Sequence, residues 1–227
     1  MRLFIFDIDG TVTNTKAVDD HCFINSFERR YNVRLGKIDW AEFENVTDKG
    51  LYEELYRRYF NSVVSGDEMA EFQKDFFTLL ESHQFNSPEL FTEIPGAAAF
   101  VNYCIQRSEI KIAFATGGWG HSAQLKLTAS SIPYLGFPLS NSDNFHRRQD
   151  ILTNAIQQSK LYYQDENLEQ VLYFGDGVWD LATTRELQIP FIGVDYKRDD
   201  KLRKAGATTI VFDFEEPEKV VELCNCL

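Results

Sequence analysis

A chain of 227 residues is long enough to bury one substantial core, or a core with a smaller insertion. Hydrophobic residues make up 44% and charged residues 26%, which is the balance of a globular protein and excludes a disordered one. The net charge of −12 argues against nucleic acid, which needs clustered Lys and Arg, and against an anionic membrane surface.

The opening apolar run, Leu3-Phe4-Ile5-Phe6, meets two aspartates almost at once and reads as neither signal peptide nor membrane span. A cytoplasmic protein is expected. The four cysteines (Cys22, Cys104, Cys224 and Cys226) follow no zinc spacing and read as free thiols, the last two in a tail expected to fray.

Residues 3–6 predict a strand ending at Asp7. From about 14 to 91 no comparable run follows. Three stripes predict amphipathic helices with core aromatics: Phe23, Phe27 and Tyr31; Leu51, Leu55, Tyr56 and Tyr59; Phe72, Phe76, Leu79 and Leu80. Roughly 75 helical residues exceed what a strand crossover needs. An inserted helical domain, residues 14–92, is therefore expected within an α/β core of residues 1–13 and 93–227. Ile94-Pro95-Gly96 marks the return. Beyond it, strands are predicted at 110–115, 171–174, 191–194 and 209–212. Helices are predicted at 97–106, 123–130, 149–158, 180–187 and 201–205, and from Pro217 to near Leu223. Near-continuous apolar strands separated by helices are buried on both faces, which predicts a doubly wound α/β fold with a parallel sheet.

In such a sheet, ligands bind beyond the carboxyl ends of the strands. The first strand leads into Asp7-Ile8-Asp9-Gly10-Thr11-Val12. Two carboxylates two residues apart point the same way while the chain is extended, and Gly10 permits a sharp turn straight afterwards. The second strand leads into Thr116-Gly117-Gly118, a hydroxyl and open amides before a helix N-terminus suited to an oxyanion. Arg147 and Arg148 precede the helix near 149. Gly175-Asp176-Gly177-Val178-Trp179-Asp180 puts carboxylates on a loop after a buried strand, where Asp180 could also cap the next helix. Gly117-Gly118-Trp119-Gly120 lacks the spacing of a dinucleotide-binding turn. His21 and His83 read as surface groups, and His121 as a helix cap or a substrate contact.

Together these segments resemble the four signature motifs of the haloacid dehalogenase-like superfamily of phosphatases and phosphotransferases, across nearly all of the α/β core. The insertion after the first motif looks like the helical cap of the phosphoglycolate-phosphatase-like branch. The resemblance implies a small phosphorylated metabolite as substrate and Mg²⁺ as cofactor. The ion would sit on the Asp7 carboxylate, the Asp9 backbone carbonyl and the Asp176 carboxylate, with Asp180 supporting the loop or a bound water; oxygen-only ligands suit it. Asp7 is implied as the nucleophile and Asp9 as general acid and base. Thr116 with Gly117 and Gly118 would hold a phosphoryl oxygen. A cation at Arg147–Arg148 would offset charge at phosphorus, where the family most often has lysine followed by proline. Arg148 is favoured, because an arginine two residues before an acid that starts the helix recurs in some branches; Arg147 is the alternative. In related caps residues near a glycine such as Gly50 face the site, which makes Lys49 an expected substrate contact. The second aspartate disfavours dehalogenation. Phosphatase comes first, with a phosphotransferase, mutase or phosphonate hydrolase second. A non-catalytic binding or regulatory protein on the same fold is the alternative of another class. Nothing in the sequence fixes the oligomeric state.

Overall fold

The computed structural model describes residues 1–166, 168 and 170–226. Strand β1 (Arg2–Phe6) sends Leu3 and Ile5 to one face and Phe4 and Phe6 to the other, and all four are fully buried. It runs parallel between β2 (Ile110–Ala115) and β4 (Gln170–Gly175), with the two-residue β3 (Leu139–Ser140) beyond β2. Strands β5 (Phe191–Val194) and β6 (Ile210–Val211) complete the other side. The order β3-β2-β1-β4-β5-β6 reverses between β1 and β4, which opens a crevice at the carboxyl ends of those two strands.

Along the chain between β1 and β2 come α1 (Lys16–Tyr31), α2 (Asp48–Phe60) and α3 (Gly66–Asn86), with short 3-10 turns at Trp40–Glu42 and Pro88–Leu90. Phe23, Phe27, Leu51, Leu55, Phe72, Phe76 and Leu80 from the predicted stripes bury into a cluster of their own. Tyr52, outside the α2 stripe, stacks on Phe72 at 4.1 Å, while Tyr59 of the stripe is exposed. Chain exit and return are paired: the Asn14 amide donates to the Thr92 carbonyl at 2.8 Å and the Ile94 amide to the Val12 carbonyl at 3.0 Å.

The remaining helices cover both faces of the sheet. α4 (Ala97–Ile105), α5 (Gly120–Ala129) and α9 (Pro217–Cys224) pack on the Phe4 and Phe6 face through Phe100, Val101, Ala123, Leu127 and Val220. α6 (Arg148–Tyr163), α7 (Val178–Glu186) and α8 (Lys201–Lys204) cover the Leu3 and Ile5 face through Ile151, Leu152, Leu181 and Leu202. Phe6 stacks on Phe174 at 4.8 Å and Phe100 on Phe214 at 5.0 Å; burying each such ring contributes about 2 kcal/mol.

The doubly wound parallel sheet agrees with the expectation, while several details differ, among them α6, which runs five residues past the expected end at 158 to Tyr163. β3 was not predicted, because two residues carry no readable alternation. Helix α5 starts at Gly120, three residues early, since backbone hydrogen bonds recruit glycine and serine that periodicity passes over. The tail does not fray at Cys224, whose side chain is fully buried against the α4 side of the core. No described helix is long and apolar enough to cross a membrane.

Candidate active site

Strand register fixes which side chains meet. Phe6 pairs with Phe114 on β2 and Phe174 on β4, which sets Asp7 level with Ala115 and Gly175 and leaves Thr116 and Asp176 one residue further along at the crevice. The Asp7 amide extends the ladder by donating to the Phe174 carbonyl at 2.9 Å. Asp7, Asp176 and Asp180 are all buried, and one oxygen from each lies within 4.8 Å of the others. Gly10 makes this approach possible: its φ is +85°, and a Cβ there would stand 2.5 Å from Asp176 Oδ2.

Three carboxylates this close repel one another. Burial first, then the Asp180 carboxylate, hold the Asp7 pKa well above the usual range against the pull of Arg148. Burial raises Asp180 too, against Arg148 and with added repulsion from Asp176. A buried set of hard oxygen donors, with Arg148 on Asp7 and Asp180 and Lys16 on Asp176, is the donor chemistry that a Mg²⁺ ion fits. Asp180 is the least open member. Its Oδ1 accepts from Arg148 Nη1 at 2.6 Å and from Tyr173 Oη at 3.3 Å, and its Oδ2 accepts from the Gly177 amide at 2.9 Å. It therefore braces the loop and holds the N-terminus of α7 as well as facing the cluster.

The two arginines separate cleanly. Arg148 is 14% exposed at its side chain, with Nη1 2.6 Å from Asp180 and 3.6 Å from Asp7. Its Nε donates to the Val46 carbonyl at 2.8 Å. Gly117 leaves room for it, since a Cβ there would come within 2.7 Å of Arg148 Nη2. Arg147 points away and pairs with Glu186 at 3.1 Å, both side chains about half exposed.

Thr116 lines the same cavity as Asp7 and Asp9, with Gly117 and Gly118. The amides after it differ from expectation. Gly118 N–H donates to Thr116 Oγ1 at 3.0 Å, Trp119 N–H to Asp48 Oδ2 at 2.9 Å, and Gly120 N–H to Asp143 Oδ1 at 3.0 Å. Protein carboxylates thus take the Trp119 and Gly120 amides at the start of α5, and the Gly117 amide finds no acceptor among the described residues. Lys49 also departs from expectation: it does not line the cavity, and its ammonium reaches the Asp143 carbonyl at 3.4 Å. Its neighbour Asp48 faces the site instead. His121 pairs with Glu81 at 2.7 Å on the surface, which leaves it out of the cavity.

Sequence reasoning missed three contributors. Lys16 Nζ donates to both Asp176 oxygens, at 2.8 and 3.2 Å, and lies 4.5 Å from the Trp179 ring. A lysine in the first turn of a helix opposes the macrodipole, and that was its one signal. Lys126 is fully buried, with Nζ 2.5 Å from Asp9 Oδ2 and 2.6 Å from Asp19 Oδ1. It falls on the buried stripe of α5 with Ala123 and Leu127, where an unexplained lysine stands out. Asp48, third, marks the start of α2, capped by Thr47.

The inserted helices close over this layer. The Asp48 amide donates to the Gly117 carbonyl at 2.8 Å, and Thr47 Oγ1 donates to the His146 carbonyl at 2.8 Å. Trp119, from the loop after β2, is fully buried within the cluster of the inserted helices, stacked 6.1 Å from Phe23. The cavity is about 70 Å³ and is lined from the helical side by Asp19, Asp20, Trp40, Thr47, Asp48 and Leu51.

A family model described as haloacid dehalogenase-like hydrolase matches residues 4–194. No curated protein matches the sequence. Among solved structures, a hydrolase from Pseudomonas syringae superposes with a TM-score of 0.74 at 17% identity, covering 98% of each chain. A protein from Bacteroides vulgatus, provisionally assigned as a β-phosphoglucomutase, gives 0.72 at 13% identity, covering 100% of this chain and 89% of that one. A predicted phosphoglycolate phosphatase from Haemophilus somnus 129PT gives 0.66 at 14% identity, covering 97% and 98%. At these identities the likeness is one of fold.

Proposed function

Because the chain belongs to the haloacid dehalogenase-like hydrolases, we propose that it is a Mg²⁺-dependent phosphatase acting on a small phosphomonoester through an aspartyl-phosphate. The observation that carries this reading is the buried meeting of Asp7, Asp176 and Asp180 at the switch point, with Arg148 beside them. Asp7, Asp176 and the Asp9 backbone carbonyl would hold the ion, with Asp180 behind them. When bound, Mg²⁺ neutralises the phosphate dianion and the carboxylate that meets it.

The chain's own residues do the rest. An Asp7 oxygen attacks phosphorus, the bond to the leaving oxygen breaks, and the Asp9 carboxyl gives that oxygen a proton. Water then attacks the aspartyl-phosphate, Asp9 takes its proton, and phosphate leaves with Asp7 restored. Thr116 Oγ1, the Gly117 amide and Arg148 face the phosphoryl oxygens and offset charge in both steps. Residues 14–92 act as a cap that excludes water, and the loop around Val46 to Asp48 joins them to the core.

The cavity wall favours hydrolysis over a mutase reaction. A sugar-phosphate mutase must grip a second phosphate. Beyond Lys16, which Asp176 engages, no Lys or Arg between β1 and α4 lines the described cavity, whereas Asp19, Asp20 and Asp48 do. Such a wall suits a neutral or donor-bearing leaving group. The proposed setting is the cytoplasm, with a small phosphorylated metabolite as the partner. The test is release of phosphate from p-nitrophenyl phosphate and from a panel of phosphometabolites, with Mg²⁺ and with excess chelator. A rate indifferent to the chelator would overturn the metal assignment.

A further inference from the structure

We propose that Lys126 is a positioning residue that fixes the Asp9 carboxylate and ties its placement to the inserted helices through Asp19. The proposal rests on the reading of Asp9 as the acid and base. Lys126 sits on α5 with its side chain fully enclosed, so its ammonium has no water to solvate it. Instead it bridges two carboxylates, Asp9 at 2.5 Å and Asp19 at 2.6 Å. Burial alone would lower its pKa, but Asp19, Asp9 and Asp48 outweigh that and hold it above the ordinary lysine value.

The other Asp9 oxygen accepts from Thr15 Oγ1 at 2.6 Å, and Thr15 in turn shares a 2.6 Å hydrogen bond with Thr13. Both Asp9 oxygens are therefore held, one by the core helix α5 and one by the segment leading into α1; the Thr15 hydroxyl can accept as well as donate, so Oδ1 is the oxygen that carries the proton when Asp9 acts as acid. Asp9 and Asp19 line the cavity and Lys126 does not. The ammonium therefore acts on the substrate only through its partners. Asp19 belongs to α1 and Asp9 to the loop after β1, so the lysine joins the inserted helices to the group that must face the leaving oxygen. Carboxylate placement of this kind matters most where proton transfer limits the rate.

The experiment is a double-mutant cycle of Lys126→Met and Asp9→Asn, read with two substrates. Glycerol 3-phosphate has a poor leaving group that needs a proton, and p-nitrophenyl phosphate has a good one that does not. Lys126→Met is expected to lower kcat for the alkyl phosphate about 100-fold, with KM little changed and a much smaller loss on the aryl phosphate. In the Asp9→Asn background the same change is expected to cost almost nothing further. Equal losses on both substrates, or losses that simply multiply with those of Asp9→Asn, would overturn the proposal and leave Lys126 a structural ion-pair partner. Should Lys126→Met not fold, Asp19→Asn keeps the lysine and carries the same test, with a smaller loss of the same leaving-group dependence expected. If Asp9→Asn itself shows no leaving-group dependence, the acid-and-base reading fails, separately from the role of the lysine.

Discussion

Replacing Arg148 by alanine removes the cation that the buried carboxylates share, and the structure lets the cost be worked out against its neighbour. Arg148 lies 2.6 Å from Asp180 and 3.6 Å from Asp7, and its side chain is 14% exposed. Removing one partner of such a buried pair leaves uncompensated charge and costs about 3–5 kcal/mol. For a chain of this size that lowers the thermal midpoint by on the order of 10 °C. In the proposed reaction the guanidinium would offset charge on the phosphoryl oxygens, a contribution worth about 100- to 1000-fold in kcat. Arg147 pairs with Glu186 at 3.1 Å, but the two side chains are 52% and 54% exposed, so Arg147→Ala should cost about 0–1 kcal/mol and leave turnover nearly intact. Arg148→Lys should recover only part of the loss, because one ammonium cannot serve Asp180 and also replace the Nε bond to Val46. The assay is urea unfolding together with kcat on p-nitrophenyl phosphate in saturating Mg²⁺. Equal rate losses for the two alanine variants, or a larger loss for Arg147→Ala, would refute the electrostatic reasoning.

Other outcomes follow from the same geometry. Asp7→Asn should abolish turnover without lowering the thermal midpoint in the absence of Mg²⁺, since burial and Asp180 already disfavour the charged form; retained turnover would dismiss the nucleophile assignment. Gly10→Ala should cost about 1–2 kcal/mol from the left-handed backbone alone and blunt stabilisation by Mg²⁺, as followed by thermal shift, because the new Cβ displaces Asp176. Asp48 gives a pH signature. Burial, opposed by Lys126 and by the Trp119 amide, pushes it up to about 7. The folded chain then keeps a proton that the unfolded chain releases near pH 4, so stability falls as pH rises from about 4 to about 7. Asp48→Asn should flatten that stretch of the urea-midpoint profile, and an unchanged slope would count against the burial of Asp48.

Much of this was legible because buried parallel strands announce themselves. Leu3 to Phe6 is covered on both faces, and once such strands are aligned the register sets Asp7 level with Ala115 and Gly175, with Thr116 and Asp176 one residue further along at the same sheet end. The pattern between residues 14 and 92 likewise showed three helices, since aromatic stripes survive translation into structure. What stayed hidden depends on contacts between distant segments. Trp119 belongs by position to the loop after β2, yet its ring completes the cluster of the inserted helices. Lys49 and Asp48 are neighbours on one helical turn, and only the turn's orientation decides which faces the cavity. Lys126 hid for a related reason: a lysine on an apolar stripe makes sense only when its two aspartates are known.

The adjoining exit and return of the chain near Val12 and Ile94 has a consequence for how such proteins diversify. The chain leaves and rejoins the sheet through one doorway, so the length of the excursion is free to vary away from the contacts that Val46 to Asp48 and Trp119 make, without shifting a rung of the sheet. The strand tips and the helices above them are thereby free to vary at different rates.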